Sequence, residues 1–239
     1  MTSVFSKEKS ELFTTYRATL EFRDRILGGI PKDTKVIEAW LRAKAGVTDD
    51  DEIKHMMVRT LQDLGVDVTP DMTYDQLHEA SDKIAAVKQT NGFKVNENGL
   101  YIEDRQVKAM LKEAVNILYA GERWGATKKG PRSFTAERVF IGPARINFLP
   151  NAEGKPACEP DGIEMLIIHA STPQGPRSSL SYHEYMERRS ITFDVQVARD
   201  CIENKNWPEI WSLCEENGLG AARSQSYGRF DVTAWDKIK

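Results

Sequence analysis

The hydrophobic pattern changes period along the chain. Ile191, Phe193, Val195 and Val197 alternate with Thr192, Asp194, Gln196 and Ala198, which predicts a half-buried strand. A first strand is predicted within 12–27, with Phe13, Tyr16, Ala18, Leu20 and Phe22 inward and Arg17, Thr19, Glu21 and Arg23 opposite. Its register slips once near Thr14, and Gly28-Gly29-Ile30-Pro31 ends it. Between 33 and 90 the period becomes helical three times, predicting an inserted helical lobe. Asp33 or Thr34 caps 36–45. Thr48 and the acidic run after it open a helix with Ile53, Met56, Met57, Leu61 and Leu64 on one face. Thr73 with Gln76 forms a capping box ahead of Leu77, Ala80, Ile84 and Val87.

Asn98-Gly99 supplies the turn of a hairpin over 92–102. A helix follows over 103–119, with Val107, Leu111, Ala114, Val115 and Leu118 inward. Strand patterns recur at 137–141, 144–149 and 162–171, and 172–180 reads as an irregular basic turn. Pro208 in a first turn and Gly218 at the end bracket a helix over 207–217. Phe230, Val232 and Ala234 then alternate with Asp231, Thr233 and Trp235 as a last strand. These elements suffice for a β-α-β-β-α-β domain. The expected fold is therefore α+β and ferredoxin-like, a single domain over 1–239 with extra strands and a helical insertion at 33–90.

With 239 residues, 40% hydrophobic and 29% charged, the chain can bury one sizeable core. No apolar run is long enough to span a membrane and the N-terminus has no signal-peptide core, so a soluble, cytoplasmic protein is expected. A net charge of -3 argues against coating nucleic acid with the whole surface but leaves room for a local basic groove. Cys158, Cys201 and Cys214 are widely spaced and odd in number, and read as free thiols. His55 and His78 have no metal-ligand spacing, and neither metal nor cofactor is expected.

The densest chemistry lies between the last helix and the last strand. Gly218, Gly220 and Gly228 allow close approach of backbone and leave amide N–H groups available to an anion, and Arg223 and Arg229 add full positive charges. Ser224, Gln225 and Tyr227 lie between them. The ligand so favoured is a phosphate. The order of helix, glycines and strand is the reverse of that in P-loops and dinucleotide folds. The plainer reading is a helix cap and tight turn, for which one glycine suffices.

The run from Gly218 through Arg223, Tyr227 and Arg229 to Phe230 resembles the glycine-rich loop of the repeat-associated mysterious proteins. This RAMP superfamily comprises CRISPR effector subunits and guide-RNA-processing ribonucleases. Ser226 stands where that family often has another glycine. The resemblance implies a ferredoxin-like (RRM-like) domain whose loop contacts RNA backbone. It also implies single-stranded RNA, further copies of the chain or other effector subunits as partners, and no membrane.

Two other regions carry candidate contacts. Arg123, Lys128, Lys129 and Arg132 interleave with Trp124 and Phe134, a flexible basic loop able to grip phosphates and stack on a base, or else a solvated charge run. Lys108 and Lys112 are helical neighbours that either border an RNA path or form the solvated face of a buried helix. Arg177 belongs to the basic turn. A metal-independent ribonuclease needs an acid and a base beside a positive charge. His169 reads as a core residue; His183, near Arg177, Arg188 and Arg189 in sequence, is the candidate. Three readings follow: non-catalytic RNA binding first, RNA cleavage through His183 second, and third a structural or assembly subunit, phage-encoded relatives included, that keeps the fold without binding RNA.

Overall fold

The computed structural model describes residues 12–32, 50–63, 66–84, 90–125, 128–151, 154, 156–172, 175–198, 202–203 and 206–238. The helix expected over 36–45 lies outside them. In chain order the elements are β1 (Phe13–Phe22), β2 (Arg25–Leu27), β3 (Ile30–Pro31), α1 (Asp50–Asp63), α2 (Tyr74–Ile84), β4 (Thr90–Gly92), β5 (Lys94–Asn96), β6 (Gly99–Glu103) and α3 (Asp104–Leu118). Then come α4 (Pro131–Arg138), β7 (Val139–Gly142), β8 (Arg145–Asn147), β9 (Gly162–Thr172), β10 (Gly175–Glu187), β11 (Ser190–Ala198), α5 (Trp207–Asn217) and β12 (Phe230–Lys237). They divide into two compact units, one of Met1–Ile26, Tyr101–Ala157 and Glu187–Lys239, the other of Leu27–Leu100 and Cys158–Met186.

In the first unit a four-stranded sheet has the order β12-β1-β11-β7, with every neighbouring pair antiparallel. Along the chain these strands are interleaved with helices as β1-α3-β7-β11-α5-β12. This is the β-α-β-β-α-β arrangement of a ferredoxin-like domain, so the fold is α+β as expected. The strand alternation is the cause. Tyr16, Ala18, Leu20 and Phe22 of β1 and Ile191, Phe193, Val195 and Val197 of β11 are all buried, so the apolar faces of the two central strands coincide. Phe13, expected inward, belongs to the opposite face and meets Phe140 edge-on at 5.7 Å. Under α5 the core is aromatic: Trp235 stacks on Tyr16 at 4.5 Å and lies 5.0 Å from Trp207 and 5.4 Å from Trp211.

Two local expectations are corrected. Residues 131–138, read as loop and strand, form α4, because Pro131 is preset for a first helical turn and Phe134 and Thr135 are buried. Within 172–180, read as an irregular turn, the described residues are strand: Thr172 ends β9. From Gly175 onward they belong to β10, paired in register with β9 from Gly175↔Thr172 to Tyr185↔Gly162, since backbone pairing over that length outweighs the turn propensity of Gly175 and Pro176.

The second unit holds most of the segment read as a helical lobe, together with the β9–β10 hairpin. Its helical core contains Ile53, Met57, Val58, Leu61, Val66, Val68 and Leu77. The predicted capping box is formed: the Gln76 N–H donates to Thr73 Oγ1 at 3.3 Å and the Thr73 N–H to Gln76 Oε1 at 2.8 Å. Lys32 pairs with the nearly buried Glu184, whose other oxygen accepts the Phe93 N–H at 3.1 Å.

Candidate nucleic-acid interface

The glycine-rich loop is closed at its neck. Gly218 caps α5 with φ 73° and ψ 177°, a region essentially confined to glycine. The Leu219 N–H then donates to the Gly228 carbonyl at 2.9 Å, and the Gly228 N–H donates to the Arg25 carbonyl at 2.8 Å. A Cβ on Gly228 would lie 1.8 Å from the Leu219 oxygen. Ends this close make the segment a compact Ω-like loop.

At its tip Ala222 takes left-handed angles, φ 52° and ψ 34°, before a 3-10 turn at Arg223–Gln225. A left-handed residue followed by right-handed turn residues converges successive N–H groups into an anion-binding concavity. Among the described residues, no backbone carbonyl accepts the N–H groups of Gly220, Ala221, Ala222, Arg223 or Ser224. Beside this run is a cleft of about 160 Å³. Helix α3 lines it with Gln106, Ala109, Met110 and Glu113, and the loop lines it with Leu219, Gly220 and Arg223.

Both loop arginines meet carboxylates. Arg223 Nη1 donates to Glu113 Oε2 at 2.8 Å, and Arg229 lies 3.6 Å from Glu216. Glu216 also accepts from Arg23 at 2.6 Å, and that hydrogen bond, more than the charges of Arg23 and Arg229, holds its carboxyl below the usual range. All of these side chains are partly exposed, so the pairs add little stability and an incoming anion can compete for the guanidinium groups.

The described residues of the basic segment, 121–125 and 128–134, are engaged with one another and with their neighbours. Trp124 bridges to Lys129, its ring lies 4.9 Å from Tyr119 and 5.8 Å edge-on to Phe134, and its indole N–H donates to Glu122 at 2.7 Å. Lys129 pairs with Glu137, and the Arg123 guanidinium donates to the Glu122 carbonyl. Lys128 and Arg132 are exposed. On α3, Lys108 lies 5.0 Å from the centre of the Phe140 ring; burial chiefly, and the like charge of Lys112, hold it below the ordinary lysine value. Arg177 lies in β10 opposite Ala170, in the other unit.

His183 is in that unit too, and it is 7% exposed. Nδ1 is 2.7 Å from the Gly28 carbonyl, so it carries the proton and donates; Nε2, at 2.9 Å from Ser181 Oγ, accepts. This is a satisfied core histidine with both ring nitrogens engaged.

In the middle of the sheet's open face Arg17 is bound to Asp194 at 2.9 Å and Thr19 to Thr192 at 3.0 Å, where RRM modules place base-stacking aromatics; the aromatics on this face, Phe13 and the exposed Phe140, lie at the start of β1 and on the edge strand β7. Glu113, Gln106 and Met110, which the sequence pattern did not single out, complete the cleft. Their signal was an i, i+4, i+7 helical stripe with Ala109 at i+3 as a further member, but periodicity alone does not say which stripe meets the loop.

Among the described residues, no helix is long and apolar enough to cross a membrane, and no group of three or more His, Cys, Asp or Glu is placed to hold a metal. No family model and no curated protein matches the chain. Solved structures similar to the chain include the following two. One is a chain of a type III-B Cmr-beta assembly bound to cognate target RNA, at 13% identity and a TM-score of 0.42, covering 98% of this chain and 64% of that one. The other is Cmr6 from Pyrococcus furiosus, at 15% identity and a TM-score of 0.35, covering 92% and 98%. The chain thus spans under two thirds of the first. At these scores the fold assignment rests on the strand order above.

Proposed function

We propose that this chain is a non-catalytic RNA-binding protein of the RAMP kind that holds the backbone of single-stranded RNA on its glycine-rich loop. One observation carries the reading: the N–H groups of Gly220 to Ser224 have no backbone acceptor among the described residues, and Arg223 stands beside them. Phosphate oxygens are the complement of such a concavity with an adjoining guanidinium. Arg229 extends the positive charge along the loop. Lys108, Lys112, Arg132 and Lys128 supply the weaker, diffuse attraction that steers a polyanion. His183 offers no exposed reacting nitrogen, so ribonuclease action through it has no support here.

The test is binding of labelled single-stranded RNA by purified protein across a salt series. Affinity should fall with salt, each neutralised phosphate contributing about 0.7 to the logarithmic slope. Failure to bind any RNA at low salt removes the reading. It would favour the alternative of an assembly subunit, with Arg223 and Arg229 remaining on Glu113 and Glu216.

A further inference from the structure

We infer that the cleft between α3 and the glycine-rich loop takes one nucleoside of the bound strand, and that Glu113 there reads the ribose 2′-hydroxyl and so selects RNA over DNA. The inference rests on the RNA-binding reading and adds a specificity residue to it.

Size comes first. The cleft of about 160 Å³ exceeds the room of a single water but falls well below the roughly 300–1,000 Å³ of pockets for drug-sized ligands, so it seats at most one nucleoside moiety and not a run of nucleotides. Its polarity has a direction. Gln106 Oε1 already accepts the Glu103 N–H at 3.2 Å, which leaves the Gln106 NH₂ as a donor. Glu113 has Oε2 on Arg223, which leaves Oε1 as an acceptor. Seven residues of helix separate these two, about 10 Å along the axis, too far for both to touch one base edge. They therefore address opposite ends of the ligand.

Glu113 is at the loop end, beside Arg223 and the free amides where the phosphate sits, so the group within its reach is the sugar. A carboxylate placed next to a phosphate site repels the ligand unless it receives a hydrogen bond, and the ribose 2′-hydroxyl is the donor nearest the phosphate. Dinucleotide folds meet the same requirement with an acidic residue on a ribose hydroxyl beside a glycine-rich loop. Met110 and Leu219 give the base an apolar wall, and Gln106 donates to an acceptor on its edge. In DNA the 2′-hydroxyl is missing and Glu113 Oε1 faces the strand with no donor to receive.

Three single strands of identical sequence, all-ribose, all-deoxy and all-2′-O-methyl, titrated by fluorescence anisotropy, test this. The wild-type protein should bind the ribose strand about tenfold more tightly than either other strand, the scale of one hydrogen bond to a charged group. Glu113→Ala should weaken ribose binding, strengthen deoxy binding and bring their ratio near one. Glu113→Gln, whose carbonyl still accepts, should keep part of the preference without the repulsion. Glu113 is half exposed, so neither variant threatens folding. Equal wild-type affinity for ribose and deoxy strands overturns the inference and leaves nucleic-acid binding standing, as does a preference that survives Glu113→Ala. Binding of none of the three at low salt overturns the RNA-binding reading itself.

Discussion

Leu219 and Gly228 clasp the neck of the glycine-rich loop: the Leu219 N–H donates to the Gly228 carbonyl at 2.9 Å, while the Leu219 oxygen occupies the space a Gly228 Cβ would need. The Gly228 φ of 75° is a second obstacle to any other residue. Gly228→Ala should therefore cost about 3 kcal/mol or more, because strain at a special φ and a backbone collision add. Urea denaturation measures this. RNA affinity should fall with it, since the amides of 220–224 are held in place by that clasp.

Arg223→Ala combined with Arg229→Ala should leave the melting temperature nearly unchanged, as both side chains take part only in partly exposed ion pairs. RNA affinity should drop by similar factors for every sequence, and the salt slope should flatten by about 1.4, or 0.7 for each phosphate that is no longer neutralised. Wild-type affinity in the double variant would reduce the loop to a turn.

Trp124 is committed to Tyr119 and Phe134, and its removal is a loss to the fold. Trp124→Ala should destabilise the protein by about 2 kcal/mol, two aromatic pairs at roughly 1 kcal/mol each. RNA affinity measured well below the melting temperature should change less than about twofold. A tenfold loss would instead make Trp124 a stacking residue.

For His183→Ala the expected loss is about 1–3 kcal/mol, because the buried Gly28 carbonyl loses its donor, while the half-buried Ser181 hydroxyl still accepts from Asn91. Labelled RNA incubated in chelator should stay intact with the wild type and with the variant alike. Cleavage by the wild type that vanishes in a folded variant would restore the histidine as a catalytic residue.

The ferredoxin-like arrangement was legible because its determinants are local. The period-2 runs of β1 and β11 and the Pro208 and Gly218 brackets of α5 each state a backbone preference within a few residues, as does the Thr73–Gln76 capping box in the second unit. Helix α4 was not, since only burial of Phe134 tells a proline-led helix from a basic loop. The strand at 175–180 was hidden too, because it is decided by pairing with β9.

The same division runs through the candidate site. Composition marked Gly218, Gly220, Arg223, Gly228 and Arg229 as a phosphate-binding group. Which amides stay without a carbonyl, and which α3 stripe meets them, depended on the Leu219–Gly228 clasp and on the rotation of α3 about its axis. Sequence alone determines which residues can take strained angles or carry charge, because those are properties of single side chains and their neighbours. Tertiary structure alone decided that Glu113 stands 2.8 Å from Arg223, that Trp124 is spent on packing and that His183 is sealed in a core. Those are relations between segments distant in sequence, set by how buried faces match, and no local preference encodes them.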